Sequence, residues 1–408
     1  MKPFFLNEST SSVLQELRVA IVHYWLLRRR GGEQVVESLA EMFPNADLFT
    51  LLVDRNALWE PLRSRNIQTS FLQRIPGIVR HYQKFLALCP LALESFNFDG
   101  YDLVISSESG PAKGILTGTR TCHICYCHTP MRYLWDKYFE YRDHCDGTIK
   151  RQAYSLISHY MRLWDVTSAN RVDHFIANSH NVAARIQKTY RRAARVIYPP
   201  VDVEQYKLAD REPEDFYLVV SQLVVYKRVD LAVAACNRLG RKLVVIGAGE
   251  EFENIKKAAG PTVTMLGWQE SNIVRDYYQR CRALIFPGQE DFGMTPVEAQ
   301  ASGRPVIAFG HGGARETVDG NLVEDYSLES DATGIFFQEP SVDSLVAAIL
   351  RFELNEKRFS PVRVRAHVQH FSTERFKAEM AQFIAEKIDD FSSPLQPHTP
   401  ISRLCISQ

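Results

Sequence analysis

Short apolar runs alternate with amphipathic stretches along nearly the whole chain, and this rhythm restricts the possible folds more than any other feature. Residues 18–26 have the length and composition of a buried strand. A basic glycine loop follows at 28–32, and residues 33–43 place Val36, Leu39, Ala40 and Phe43 on one helical face. Residues 101–106, the run beginning at Cys122 and residues 174–178 read as further strands, with Ser179 capping the helix that follows. Pro199 and Pro200 interrupt the pattern, which then resumes with strands at 216–221, 242–247, 262–266, 283–286, 305–309 and 334–337. Strands that alternate with helices specify parallel sheets joined by crossover helices. The expected fold is α/β with two doubly wound, Rossmann-like domains, at 18–198 and 199–371, and residues 1–17 and 392–408 are expected to be loosely ordered.

A chain of 408 residues has room for two full cores, and 45% hydrophobic with 24% charged residues is ordinary for a globular protein. Formal charge sums to zero but is unevenly spread: residues 1–198 carry 25 Lys+Arg against 18 Asp+Glu, and the remainder carries 23 against 30. That asymmetry suggests an anionic partner for the first half. No stretch approaches the roughly 18 consecutive apolar residues of a spanning helix, and residues 3–6 lack the form of a secretion signal, so a cytoplasmic location is expected. Eight irregularly spaced cysteines fit reduced thiols better than a disulfide framework. The cluster Cys122, His123, Cys125, Cys127, His128 could suggest zinc, but only His144 and Cys145 offer a second knuckle. The segment also alternates as a strand does, so no metal site is expected.

The densest chemical signal lies at 288–318. A strand ends at Phe286, a glycine-containing loop exposes backbone amides, and Thr295-Pro296-Val297-Glu298 reads as N-cap, N1 proline and capping-box glutamate of a helix starting at Pro296. Free amides and the positive end of such a helix, above the carboxyl end of a strand, suit an anion such as a sugar-nucleotide diphosphate. Two bland roles stay open: Glu298 could serve only as the cap, and Glu290 could be a solvated loop carboxylate. Gly288, Glu290, Phe292-Gly293, Glu298-Ala299, Ala301, Gly303 and Pro305-Val306-Ile307, followed by Gly310, Gly312-Gly313, Glu316 and Val318, resemble the signature of the retaining glycosyltransferases of family 4, which have the two-domain GT-B fold. Weaker similarity extends from Arg18 to about Phe391.

That resemblance implies roles for particular residues. The diphosphate of a sugar nucleotide would lie on Gly31, Gly32, Lys227 and the amides of Met294 and Thr295; Glu290, Phe292 and Gly293 would bind sugar hydroxyls, and Glu298 the ribose. His128, in Cys127-His128-Thr129-Pro130, matches the active-site histidine that contacts the transferred sugar, and is paired with Glu290 as a catalytic candidate. Residues 372–391 would form a helix crossing back to the first domain. Gln222 departs from the pattern: relatives carry an arginine there, a guanidinium fork that an amide cannot replace, with Arg228 a candidate for compensation.

Leu243 to Gly249 could suggest a dinucleotide fingerprint, but Phe252 occupies the place of the third glycine, so a nucleoside-side loop is expected, with Gly267 and Trp268 near the base. Trp268 could equally be a packing residue. No Asp-x-Asp pair is present to hold a divalent cation on the diphosphate, so metal-independent transfer without a cofactor is expected. Retention by front-face attack is implied by the resemblance alone. The strings around Tyr126–Asp136 and Leu223–Val233 look closest to bacterial mannosyltransferases that use GDP-mannose and build O-antigen or exopolysaccharide units on polyprenyl-diphosphate-linked glycans. Alternatives are a UDP-sugar donor or a nucleotide-sugar-binding protein whose turnover Gln222 impairs. The partners expected are thus the sugar nucleotide, the lipid-linked acceptor and an anionic membrane face, with no nucleic acid. Membrane contact has its own sequence support, since Arg74, Arg80, His81 and Lys84 are interleaved with Leu72, Ile75, Ile78, Val79, Phe85 and Leu86. The competing reading of that segment is an amphipathic element packed on the core.

Overall fold

A computed structural model of the protein describes residues 14–208, 212–322 and 332–392. The first sheet contains, in chain order, β1 (Val19–Leu26), β2 (Asp47–Val53), β3 (Ile67–Thr69), β4 (Leu103–Glu108), β5 (Cys122–Cys127), β6 (His174–Ala177) and β7 (Ala194–Val196). The second contains β8 (Tyr217–Val220), β9 (Leu243–Ile246), β10 (Val263–Gly267), β11 (Leu284–Phe286), β12 (Val306–Phe309), β13 (Gly320–Leu322) and β14 (Gly334–Phe337). Their spatial orders are β3-β2-β1-β4-β5-β6-β7 and β10-β9-β8-β11-β12-β14-β13. All the ladders are parallel, from the β1–β2 pair to the β13–β14 pair. The strand order reverses between β1 and β4 in one sheet and between β8 and β11 in the other, and at such reversals the carboxyl ends of strands leave a crevice for ligands.

The helices that matter for the site are α1 (Gly31–Met42), α2 (Thr148–Ala169), α3 (His180–Tyr190), α4 (Val229–Leu239), α5 (Met294–Ala301) and α6 (Thr373–Ser392). In α1, Val35, Val36, Leu39 and Ala40 are buried, which sets that face on the first sheet. Ser179 caps α3 by accepting a hydrogen bond from the Val182 amide at 3.1 Å. Each domain has its own core: Ile21, Leu48, Ile105 and Ile124 in the first, Val219, Val245, Ile285 and Ile307 in the second.

Phe376, Met380, Phe383 and Ile384 of α6 belong to the first core, although the preceding residues belong to the second domain. The tether runs alongside the linker, with Val201 bridging Ser372, Arg375 donating to the Tyr198 carbonyl at 2.9 Å and Lys377 paired with Glu41 of α1. Residues 1–13 and 393–408 lie outside the described residues. Leu14 and Leu17, expected to be loosely ordered, instead pack on the first core. In residues 71–88, the segment expected to lie on a membrane, most apolar members turn inward: Leu72 and Ile78 are buried, and Ile75, Val79, Phe85 and Leu86 pack against the core, while Phe71 and Leu88 stay exposed. No helix among the described residues is long and apolar enough to cross a membrane.

Candidate active site

The residues that meet between the two domains follow the carboxyl ends of strands. Gly31, the first residue of α1, lies so close to α5 that a Cβ there would sit 3.3 Å from the Met294 Cγ. A Cβ on Gly32 would sit 3.5 Å from His128 Nε2 and 3.6 Å from the Tyr24 hydroxyl. The glycines therefore leave open the space between His128 and the second domain. On that domain, Lys227 after β8 and Glu290 after β11 form an ion pair. Gly288 makes this approach possible, because a side chain would come within 2.8 Å of the Lys227 Cα. Gly31 thus meets the start of α5 across the domain boundary, with His128 beside Gly32, while Lys227 and Glu290 pair on the second domain.

His128 is held from two sides: its amide donates to the Glu108 carbonyl at 2.6 Å, and Nε2 lies 2.9 Å from Ser107 Oγ. Burial, with a smaller contribution from His23, lowers its pKa to about 3. The imidazole is therefore neutral near pH 7, offering one donor and one acceptor nitrogen rather than a charge.

The loop that carries Glu290 is clamped by backbone. Glu290 bridges Gly312, and the Gly313 amide donates to the Glu290 carbonyl at 2.8 Å. A Cβ on Gly312 would fall 2.4 Å from that carbonyl oxygen, and one on Gly313 would fall 2.4 Å from the Phe292 Cα. Gly312 is also at φ +68°, where glycine is favoured. Phe292 is buried against Tyr198 and Phe371. Its side chain anchors the loop, leaving only its backbone for a ligand.

One expected feature is corrected. The helix begins at Met294, with Gly293 as the N-cap at φ +96°, so no capping box forms from Thr295. The left-handed glycine ends the loop abruptly and lets the helix start two residues before Pro296. The Met294 and Thr295 amides consequently lie in the first turn, where backbone donors lack intrahelical partners. Glu298 accepts instead from the Tyr278 hydroxyl at 2.9 Å. Burial raises its pKa, opposed by hydrogen bonds from Tyr278 and Tyr206.

Gln222 is exposed after β8. Arg228, the candidate to replace the missing arginine, makes a fork with Asp230, Nε at 3.1 Å from Oδ1 and Nη2 at 3.1 Å from Oδ2. Trp268 is 72% exposed, so it is not a packing residue. It follows Gly267, whose carbonyl accepts from the Gly247 amide at 2.8 Å. Gly247 and Gly249 are required by crowding: Cβ atoms there would lie 1.8 Å from Ser221 O and 2.0 Å from Leu223 O. Cys122, Cys125, Cys127 and His123 are buried strand residues, His123 Nε2 lying 2.8 Å from Ser106 Oγ. Among the described residues no three His, Cys, Asp or Glu side chains converge to hold a metal ion.

Sequence reasoning missed the charged seam beside the site. Asp291 receives Arg132 at 3.5 Å, Arg185 at 3.2 Å and the Asn181 side-chain amide at 3.1 Å, all from the first domain. Burial raises its carboxyl pKa, against the opposing pull of the two arginines. Glu316 accepts from the His180 and Asn181 amides at 2.7 and 2.9 Å, so an anion of the second domain caps the positive end of α3. Glu316 was visible as a motif member, but its partners are more than 130 residues away.

Two parallel seven-stranded sheets in separate domains, with α6 returning to the first, define the GT-B fold. Residues 29–205 match the family model described as Glycosyltransferase Family 4 and residues 202–366 the one described as Glycosyl transferases group 1. The chain belongs to these glycosyltransferases. It is 25% identical over 321 residues to the alpha-1,3/1,6-mannosyltransferase ALG2 of Homo sapiens, covering 68% of this chain and 73% of that one. The Saccharomyces cerevisiae protein of the same name is 22% identical over 387 residues, covering 79% and 72%. Among solved structures, that of Anabaena HepE in complex with UDP and glucose superposes with a TM-score of 0.66 at 17% identity, covering 91% of this chain and 100% of the other. Sucrose-phosphate synthase from Thermosynechococcus elongatus gives 0.66 at 17%, covering 92% and 100%. At such identity the structures speak to fold alone.

Proposed function

We propose that the protein transfers mannose from GDP-mannose, with retention and without a divalent cation, to a polyprenyl-diphosphate-linked glycan in O-antigen or exopolysaccharide assembly. The observation that carries this reading is the Lys227–Glu290 pair, with Glu290 on the loop that leads into α5, whose first residue Met294 lies against Gly31. On donor binding, Lys227 turns from the carboxylate to the diphosphate, which frees Glu290 to accept hydrogen bonds from sugar hydroxyls. The amides of Met294 and Thr295 add fixed donors on the leaving group, and the Phe292 and Gly293 amides hold the sugar. Preorganised donors of this kind are the largest usual contribution to such a reaction. His128, neutral, hydrogen-bonds the transferred sugar. The proton of the acceptor hydroxyl passes to the departing phosphate oxygen as the new glycosidic bond forms on the same face. Mannose as the sugar is supported by the relatives named above as mannosyltransferases.

Thermal unfolding with GDP-mannose, UDP-glucose and ADP-glucose tests the donor, because a ligand of the native state raises the melting temperature. GDP-mannose is expected to stabilise most, with transfer of labelled mannose unchanged by EDTA. Stabilisation by UDP-glucose and none by GDP-mannose would sink the assignment. The second reading, a sugar-nucleotide-binding protein with impaired turnover, is favoured by one observation: Arg228 is engaged by Asp230 and leaves Gln222 uncompensated. Gln222→Arg separates the two, since a large gain in turnover would fit only the second.

Association with the cytoplasmic membrane face has better support in α2 than in residues 71–88. Ile149, Leu156, Tyr160 and Leu163 stand exposed along α2, Ile149 by 83%. Lys150, Arg151, His159 and Arg162 lie beside them, and the one carboxylate of α2, Asp165, is buried. A basic apolar face of this kind fits an anionic bilayer. Leu156→Glu with Leu163→Glu is expected to lower co-sedimentation with phosphatidylglycerol vesicles roughly tenfold or more, each leucine contributing on the order of 1.5 kcal/mol. Equal binding of the parent to phosphatidylcholine vesicles would refute the charge component.

A further inference from the structure

Beside the segment that joins β1 to α1, the first domain holds a cavity of about 390 Å³. That is within the lower range of ligand sites, which run from roughly 300 to 1,000 Å³. Its walls have two characters. Trp25 and Tyr82 form an aromatic corner, their ring centroids 4.6 Å apart. Arg28, Arg30 and Arg80 supply the charge. Among the described residues no ion pair engages any of these three guanidinium groups, whereas Arg29, between the first two, is held by Glu37 at 2.7 Å.

Two carboxylates also line the cavity, and both are occupied. Asp54 accepts from the Asn56 amide at 3.1 Å, and Glu33 accepts from the Arg30 amide at 3.2 Å while lying 3.8 Å from His23 Nε2. Three solvent-exposed arginines without ion-pair partners outnumber the two carboxylates and leave an excess of positive charge on an aromatic-walled cavity, and guanidinium forks match phosphoryl oxygens.

The cavity also has a fixed relation to the reaction centre. Trp25 packs edge-on against Tyr24 at 4.6 Å, and the Tyr24 hydroxyl borders the space over Gly32 that His128 also faces. One aromatic ring therefore separates the cavity from the place where the transferred sugar would lie.

We propose that this cavity is the acceptor subsite, and that it takes a saccharide joined to a phosphate or diphosphate. The phosphoryl oxygens lie on Arg28, Arg30 and Arg80, and the adjoining sugar ring lies against Trp25 and Tyr82. The acceptor identity rests on the transfer reading above; the anion specificity of the cavity does not.

The test uses the full chain with the donor site saturated by whichever nucleoside diphosphate stabilises it most, so that the probe cannot occupy that site. The probe is N-acetylglucosamine linked through diphosphate to farnesol, and the control is the octyl glycoside of the same sugar. Calorimetry is expected to show binding of the diphosphate probe that weakens at least about tenfold in Arg28→Gln/Arg80→Gln. Nucleotide binding should stay unchanged, which reports that the variant is folded. Arg30 is left in place because it adjoins the glycine turn. Unchanged affinity in the double variant, or a glycoside that binds as tightly as the diphosphate, overturns the proposal. A wrong donor would appear separately, in the choice of saturating nucleotide.

Discussion

Lys227→Met is expected to lower turnover by roughly 10²–10³-fold and to weaken donor binding, while leaving the melting temperature close to that of the parent. Lys227 is the cation proposed above to hold the diphosphate, and its charge is balanced by Glu290. Removing it takes away stabilisation of the leaving group. It also leaves the half-buried Glu290 carboxylate unbalanced beside an incoming dianion, so binding suffers from repulsion as well. A second substitution isolates that component: Glu290→Gln in the Lys227→Met background should recover part of the donor affinity without recovering turnover. The reason is that it removes the repulsion and restores no cation. Coupling of this type is what a double-mutant cycle measures. Steady-state kinetics with nucleotide titration decide the matter. Turnover within threefold of the parent in folded Lys227→Met would place the diphosphate elsewhere.

The parallel sheets were legible because the alternation of buried strand and amphipathic helix is a long-range periodic signal. Four strands escaped it. β3, β7 and β13 are three residues each at sheet edges, too short to show a period, and β2 is a largely apolar run, broken only by Thr50 after Asp47, that periodicity alone cannot distinguish from a helix. In the site, Glu290 and Lys227 stood out through the family resemblance and the paired glycines through the loop before the first helix, and the structure pairs the first two. The capping box was misread because Gly293 can adopt a left-handed cap, which no pattern of side chains announces. Asp291 was missed because its value lies in partners 106 to 159 residues earlier, Arg185 and Arg132 among them. Those contacts also reinterpret the charge asymmetry. Part of the basic excess of the first half meets acidic groups of the second half of the same chain, so only unpaired groups such as Arg28 and Arg80 speak to an external anion.

The largest stability effect is expected in the wall behind His128 rather than at the Lys227–Glu290 pair. Lys113 is fully buried, 3.3 Å from Glu108 Oε1 and paired with Asp165, and both carboxylates are fully buried too. Trp135 Nε1 donates to Asp165 at 2.8 Å and the Tyr190 hydroxyl at 3.0 Å, so the lysine is the one cation among these buried groups, and Glu108 Oε1 has it as an ion-pair neighbour without a hydrogen bond. Burial pushes the Glu108 pKa up to about 7 even with Lys113 beside it. Burial alone would lower the pKa of Lys113, but Asp165 and Glu108 carry it above its ordinary value. Lys113→Met strands two carboxylates in the core at a cost of roughly 3–5 kcal/mol, the usual effect of breaking a buried pair from one side. In the variant Glu108 must take up a proton to remain buried. The folded state then binds more protons than the unfolded one, and stability falls as pH rises, so the deficit should be larger at pH 8 than at pH 6. Lys113→Met/Glu108→Gln should be more stable than the single variant and lose most of that pH dependence. Because β4 ends at Glu108, whose carbonyl holds the His128 amide, turnover should fall with stability in the single variant and recover in part in the double. Urea unfolding at the two pH values provides the measurement. A loss below about 1 kcal/mol, or a deficit independent of pH, would mean that water or a neighbouring group replaces the lysine.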